Sequence, residues 1–212
     1  MYVMSRIVEE KGRAEAPGTA FQLASLVEEA RAGSRNAFEQ LMGHFQEDIF
    51  RMVYYRTRSA MDAEDLTQEI FTRAYKNIPR LKAVESFRSW LYQIAVNRIR
   101  DFNRKKRFRN LFSAFGDTRE TAKTPVDPSH PPEVLDHLMA QDFWKQVELF
   151  LNKLPRMERE VFLLRFMDHL SIKEISQALG KSESTVKTHL YRSIGKFKGD
   201  HSIHQLLQEK ST

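Results

Sequence analysis

The side chains best suited to bind nucleic acid lie near the C-terminus of the chain. Val186, Leu190 and Ile194 have the spacing of the buried face of a helix, so other side chains of that helix must point outward. Lysine and arginine donate to guanine edges and phosphates, and threonine and tyrosine can contact a base methyl or a phosphate. The outward residues with this chemistry are Lys187, Thr188, Tyr191 and Arg192. They predict a DNA-binding helix, with an ordinary solvated helix face as the alternative.

The residues in front of this helix predict a helix-turn-helix. Ser171 and Glu174 have the spacing of a capping box, in which each side chain bonds the backbone N–H of the other residue. Gly180 suits a left-handed turn, and Ser182 suits the N-cap of the next helix. A short capped helix, a glycine turn and a longer second helix are typical of this motif.

A second candidate surface is the basic segment 98–109, RIRDFNRKKRFR, which holds seven basic residues and one acid. Helical spacing puts Asn97, Arg100 and Arg104 on one polar stripe. A positive stripe neutralises phosphates, and nearby aromatic side chains can stack on unpaired bases, although Phe87 fits the apolar core better. A solvated or disordered basic tail is the alternative.

The segment 62–69, DAEDLTQE, is acidic and contains no basic residue. Acids in the first turn of a helix stabilise it by complementing the macrodipole, but Gln68 and Glu69 lie beyond that turn. Spacing alone leaves two interpretations open, a stabilised helix start and a face that docks a protein.

No group of residues in the sequence predicts catalysis or a metal site. The chain has no cysteine, which excludes disulfides, thiol catalysis and zinc sites with cysteine ligands. His201 and His204 could share a helix face, but no third ligand accompanies them in a polar tail. Because glycine-rich phosphate loops and catalytic carboxylate pairs are also missing, we expect a protein that is not an enzyme and needs no cofactor or metal.

Composition and periodicity predict an all-α protein with two small helical domains. The 212 residues carry a net charge of +6, and no apolar run could span a membrane or form a signal peptide, so we expect a cytoplasmic protein without membrane insertion. Four prolines between residues 125 and 132 indicate a linker. The predicted boundaries are an N-terminal extension at 1–21, a helical domain at 22–108, a Pro-rich linker at 109–133, a helix-turn-helix domain at 134–199 and a tail at 200–212.

Four amphipathic stripes predict four helices in the first of these domains. The first should end at Gly33, the second should begin at an N-cap on Ser34, and the third should end before Pro79. In the second domain, Pro155 should start a helix.

Three segments, in this order, resemble the extracytoplasmic-function (ECF) sigma factors of the sigma-70 family of bacterial initiation factors. They are DAEDLTQEIFTRAYKNI, SFRSWLYQIAVNRIRDFNRKKR and LPRMEREVFLLRFMDHLSIKEISQALGKSESTVKTHLYRSIGKFK. The resemblance covers about residues 22–199. It implies an alternative sigma factor that binds core RNA polymerase, directs it to −35/−10 promoters and assists melting of the −10 element.

The resemblance also implies a role for each surface. The acidic helix would dock on the clamp of the largest polymerase subunit, the loop from Leu81 to Arg88 would capture a flipped −10 base, and an anti-sigma factor would be a further partner. The implied polymerase-binding residues are Asp62, Asp65, Gln68 and Glu69. The implied −10 DNA-binding residues are Arg88, Asn97, Arg100, Arg104 and Lys105. The implied −35 DNA-binding residues are Lys187, Thr188, Tyr191 and Arg192.

Two other interpretations stay open at this point. A two-domain transcriptional activator can end in a helix-turn-helix similar to SESTVKTHLYR, but it would need a receiver or ligand domain in front of it. An enzyme acting on nucleic acid, such as a small nuclease or methyltransferase, would need clustered carboxylates or a glycine-rich cofactor loop.

Overall fold

The computed structural model describes the backbone of residues 17–114 and 146–200, and the side chains of residues 21–109 and 146–200. Every regular element within these ranges is helical, which confirms the predicted all-α class. The chain divides into two compact units, the first built from the helices of residues 17–114 and the second mainly from those of residues 146–200. None of the helices in these ranges is long and apolar enough to cross a bilayer.

Residues 17–114, the described part of the first unit, contain four helices and two single-turn 3-10 helices. They are α1 (Pro17–Arg31), α2 (Arg35–Thr57), α3 (Ala60–Asn77), the 3-10 turns Ile78–Arg80 and Val84–Ser86, and α4 (Phe87–Ala114).

Local chemistry sets the helix boundaries of the first unit as the sequence predicts. Gly33 ends α1 with a φ of 102°, a conformation that strains residues with a side chain. Ser34 caps α2, its Oγ accepting a hydrogen bond from the Ala37 N–H at 3.2 Å. Pro79 lies two residues after the end of α3, in the first 3-10 turn.

One apolar stripe from each of α2, α3 and α4 forms the core of the first unit. The buried members of these stripes include Leu41, Phe45, Ile49, Ala63, Leu66, Ile70, Leu91, Ala95 and Ile99. Burial of one such leucine or isoleucine stabilises the fold by about 1.5–3 kcal/mol relative to exposure. The apolar stripes therefore fix how α3 and α4 are rotated, and with that which of their charged residues reach the surface.

The last helix of this unit, α4, extends to Ala114 and so includes the first six residues of the segment predicted as a linker. The rest of that segment, residues 115–133, lies outside the described residues, as do residues 1–16 of the predicted extension and residues 201–212 of the predicted tail. The predicted domain boundaries stay a prediction.

The described part of the second unit, residues 146–200, contains four helices. They are α5 (residues 146–153), α6 (Arg156–Phe166), α7 (Ile172–Leu179) and α8 (Glu183–Lys198). Pro155 precedes α6, as predicted.

An aromatic cluster holds α8 on the scaffold of the second unit. Phe150 of α5, Phe162 of α6 and Phe197 of α8 pack with ring centroids 5.3–5.8 Å apart. Aromatic pairs at this separation contribute about 0.5–1.5 kcal/mol beyond the area that they bury. Phe197 therefore anchors the C-terminal end of α8.

Candidate nucleic-acid and protein interfaces

The helix-turn-helix is built from the local contacts that the sequence predicts. The Glu174 N–H donates to Ser171 Oγ at 3.2 Å, and the Ser171 N–H donates to Glu174 Oε2 at 2.8 Å. Gly180 turns the chain with a φ of 61°, and Ser182 Oγ accepts from the Thr185 N–H at 3.2 Å to start α8. Both helices of the motif are therefore capped, and the turn between them is fixed.

The outward face of α8 carries the four side chains that the sequence assigns to it. Lys187, Thr188, Tyr191 and Arg192 are all exposed, and Tyr191 keeps 69% of its surface accessible. The Thr188 hydroxyl donates to the Ser184 carbonyl at 2.9 Å, which uses its one hydrogen within the helix. Thr188 therefore offers a partner its methyl group and an acceptor oxygen. Contact of these four residues with DNA stays a prediction.

An ion pair that the sequence did not predict ties α8 to α6. Lys196 Nζ lies 2.7 Å from Glu158 Oε2, and the Glu158 side chain is only 7% exposed. The carboxylate sits in the first turn of α6, where the helix macrodipole also favours it. The pair neutralises one cation in the last turn of α8, whereas Lys187 and Arg192 lie exposed nearer the N-terminal end of the helix.

The polar stripe of α4 forms as predicted, although its members differ in exposure. Asn97 and Arg104 are exposed, and Arg100 is half-buried. Arg104 Nη2 donates to Asp101 Oδ1 at 3.2 Å, one turn back on the helix. At about 100° per residue, Asn97, Arg100 and Arg104 lie within about 60° of one another around the helix.

Two of the predicted −10 residues lie away from this stripe. Arg88 precedes Asn97 by nine residues, which puts it about 180° around the helix, and its guanidinium lies 5.6 Å from the centroid of the Tyr92 ring. Lys105 is exposed about 80° from Asn97. The five residues therefore do not form a single face.

Two acids of α3 are paired with two bases of α4. Glu69 forms an ion pair with Arg98, whose side chain is 10% exposed whereas that of Glu69 is 48% exposed. The hydrogen bond from Arg98 holds the pKa of Glu69 below its ordinary value and raises the pKa of Arg98. Near the start of α3, Asp62 Oδ2 lies 3.7 Å from Lys106 Nζ. These pairs fasten the two antiparallel helices together, a role that the sequence did not predict.

The remaining predicted docking residues, Asp65 and Gln68, are exposed on α3. Beside them an open cleft of about 410 Å³ lies between α2 and α3. Thr67 Oγ1 in its lining is buried without a hydrogen-bond partner in the described part of the chain. The other lining residues include Gln46, Glu47 and Phe50 of α2 and Glu64 and Gln68 of α3. Glu47 and Glu64 give this concave surface an acidic character, and its contact with a protein partner stays a prediction.

The described residues contain no group of three or more histidine, aspartate or glutamate side chains placed to hold a metal ion. Their exposed polar faces are helical surfaces, suited to binding macromolecules.

Two family models match the chain. The model of Sigma-70 region 2 matches residues 41–109, and that of Sigma-70 region 4 matches residues 144–196. The chain is 32% identical over 186 residues to the ECF RNA polymerase sigma factor BldN of Streptomyces coelicolor, covering 86% of this chain and 67% of BldN. It is 31% identical over 172 residues to the ECF RNA polymerase sigma factor SigW of Bacillus subtilis, covering 78% of this chain and 89% of SigW.

Two solved structures share the fold. CnrH, in complex with the cytosolic domain of CnrY, matches with a TM-score of 0.62 and 22% identity, over 84% of this chain and 96% of CnrH. The sigma factor RpoE of Bartonella quintana, in complex with the anti-sigma factor NepR, matches with a TM-score of 0.56 and 20% identity, over 81% of this chain and 96% of RpoE.

Proposed function

The chain belongs to the extracytoplasmic-function sigma factors of the sigma-70 family, and we propose that it divides the work of such a factor among three surfaces. As an alternative sigma factor it directs RNA polymerase in transcription initiation. The docking surface lies on α3, the −10 surface on α4 and the −35 surface on α8. One observation supports the proposal most strongly. The model of Sigma-70 region 2 matches the first unit, which bears the surfaces of α3 and α4, and the model of region 4 matches the second unit, which bears that of α8.

The outward face of α8 is proposed to enter the major groove of the −35 element. The groove is about 12 Å wide and admits a helix. From Lys187 to Arg192 the helix rises about 7.5 Å, which is about two base-pair steps. Arg192 and Lys187 suit guanine edges or phosphates, and the Thr188 methyl suits a thymine methyl. Tyr191 adds a broad, exposed contact surface at the centre of this face.

The polar stripe of α4 is proposed to hold the displaced non-template strand at the −10 element. Arg100 and Arg104 would neutralise phosphates, and the Asn97 amide would pair with a base edge. Flipping a base out of the stack costs a few kcal/mol, so the complex needs compensating contacts at that base. The loop from Leu81 to Arg88 would supply them, and Lys105 would hold a neighbouring phosphate.

The acidic side of α3 is proposed to dock on the polymerase. Asp65 and Gln68 would make direct contacts, and the cleft beside them would receive a side chain of the partner. Glu69 and Asp62 would support docking in two ways. Their exposed atoms would contact the polymerase, and their ion pairs with α4 would hold α3 in position.

Further partners and the location follow from this function. A factor that positions polymerase needs no catalytic group of its own, and it works where the polymerase is, in the cytoplasm. An anti-sigma factor is proposed as a regulator, since the similar fold of RpoE was solved with the anti-sigma factor NepR.

The activator alternative is not favoured, because residues 41–109 match Sigma-70 region 2 where an activator would need a receiver or ligand domain. Promoter binding distinguishes the two functions. We expect a promoter fragment to be bound tightly by the chain together with bacterial core RNA polymerase, and much more weakly by the chain alone. Tight binding that does not change when core polymerase is added would favour an activator.

A further inference from the structure

One exposed aromatic side chain continues the polar stripe of α4. Phe108 is 58% exposed, whereas Phe87 and Tyr92 of the same helix are 2% and 1% exposed. Leaving a phenylalanine in water forgoes about 1.5–3 kcal/mol of burial free energy. The exposed ring of Phe108 is therefore available to a partner that would cover it.

The position of Phe108 on the helix indicates what that partner is. Phe108 follows Asn97 by eleven residues, so the two lie within about 20° of each other around the helix and about 16 Å apart along it. Arg104 lies between them, about 6 Å from Phe108 along the axis. A strand whose phosphate is held by Arg104 would bring its adjacent base against the Phe108 ring.

The charge around Phe108 favours a nucleic acid over a protein. Arg104, Lys105, Arg107 and Arg109 all lie within four residues of it and are exposed. Residues 102–109 include no acidic residue, so this surface suits a negatively charged partner. A site for single-stranded DNA has this composition, a positive track along the backbone with aromatic rings on which bases stack.

We propose that Phe108 stacks on an unpaired base of the promoter, at the end of the surface that Asn97, Arg100 and Arg104 form. The inference rests on the proposed binding of the −10 strand by α4. It extends that surface by one helical turn and gives it a second stacking site, distinct from the loop at residues 81–88. A ring that stacks on a base face contributes affinity with little sequence preference.

Substitutions at Phe108 in the holoenzyme test this proposal. The probe is a fork-junction DNA, single-stranded across the −10 non-template bases, made from a promoter that the wild-type holoenzyme uses. We expect Phe108→Ala to weaken binding of this probe about 5- to 150-fold, which corresponds to 1–3 kcal/mol for one stacked base. Phe108→Trp should bind within about twofold of wild type, and Phe108→Leu should behave like Phe108→Ala because it lacks a π face.

Two controls separate the possible outcomes. Phe21→Ala removes another phenylalanine that is 77% exposed, on α1, and should leave binding unchanged. The dependence of binding on salt concentration should be the same in Phe108→Ala and wild type, because no phosphate-binding cation is lost. Wild-type affinity of Phe108→Ala would overturn the proposal. Full rescue by Phe108→Leu would also overturn it, since the ring would then pack on protein. If the wild-type holoenzyme itself failed to bind the fork probe, the proposed −10 function would fall together with this inference.

Discussion

Reversing the charge of Glu69 should destabilise the first unit, whereas reversing that of Asp65 should not. Asp65 is exposed on α3, and exposed substitutions usually change the free energy of unfolding by less than about 0.5 kcal/mol. In Glu69→Lys the buried Arg98 would lose its partner and face a second cation. Both variants should bind core polymerase less well, but for different reasons.

The size of the stability loss expected for Glu69→Lys follows from the burial of Glu69 and Arg98. Removing one partner of a fully buried ion pair costs about 3–5 kcal/mol, and exposed pairs contribute about 0–1 kcal/mol. Because Arg98 is buried and Glu69 is half exposed, we expect Glu69→Lys to lower the free energy of unfolding by about 1–3 kcal/mol. In a domain of this size, each kcal/mol corresponds to about 4–8 °C in Tm.

Urea denaturation and co-purification with core polymerase measure the two effects separately. Asp65→Lys should unfold at the wild-type midpoint and lose core polymerase, because like charges would then oppose each other at the docking surface. Glu69→Lys should unfold at lower urea, and the exchange Glu69→Arg with Arg98→Glu should restore much of the loss. A wild-type midpoint for Glu69→Lys would refute the structural role of the pair. Normal holoenzyme formation by a folded Asp65→Lys protein would refute the docking assignment.

Three further predictions concern other parts of the molecule. Arg192→Ala or Lys187→Ala should weaken transcription from promoters that depend on the −35 element by about 1–3 kcal/mol if a base contact is lost, as measured by run-off transcription, and unchanged transcription would mean that another face binds DNA. Because Arg98 lowers the pKa of Glu69, the stability from this pair is fully present above the ordinary pKa of 4.5 and is lost as the pH falls through the lower pKa of the folded state. The urea midpoint of the wild type should therefore fall more steeply below pH 5 than that of Glu69→Gln. Parallel pH curves for the two proteins would contradict this prediction. Limited proteolysis followed by mass spectrometry should find the first cut within residues 115–133, since the proline-rich sequence predicts a linker there, and a first cut inside α3 or α8 would contradict the two-domain organisation.

The features predicted correctly are those whose chemistry lies within a few residues along the chain. The cap at Ser34, the capping box of Ser171 and Glu174 and the turn at Gly180 each depend on contacts within four residues, so the residue types determine them. The outward face of α8 was predictable for the same reason, because helical periodicity fixes it once the buried stripe is known.

The features that the sequence did not indicate depend on how helices pack. Glu69 and Arg98 are 29 residues apart, and Glu158 and Lys196 are 38 apart, so their pairing depends on the register between helices. The prediction began the linker at residue 109, but α4 continues to Ala114, since no glycine or proline interrupts the sequence before Gly116. Helical periodicity alone could have shown that Arg88 lies on the opposite side of α4 from Asn97. The family resemblance nevertheless assigned both residues to binding of the −10 DNA.

The central claim, that this chain directs RNA polymerase to promoters, is tested most directly by transcription in vitro. Bacterial core RNA polymerase, fragments of the genome and the full-length chain are combined, and the 5′ ends of the transcripts are mapped. We predict discrete start sites that require the chain and share sequence elements near −35 and −10. The same transcripts with and without the chain, or none in either case, would contradict the claim.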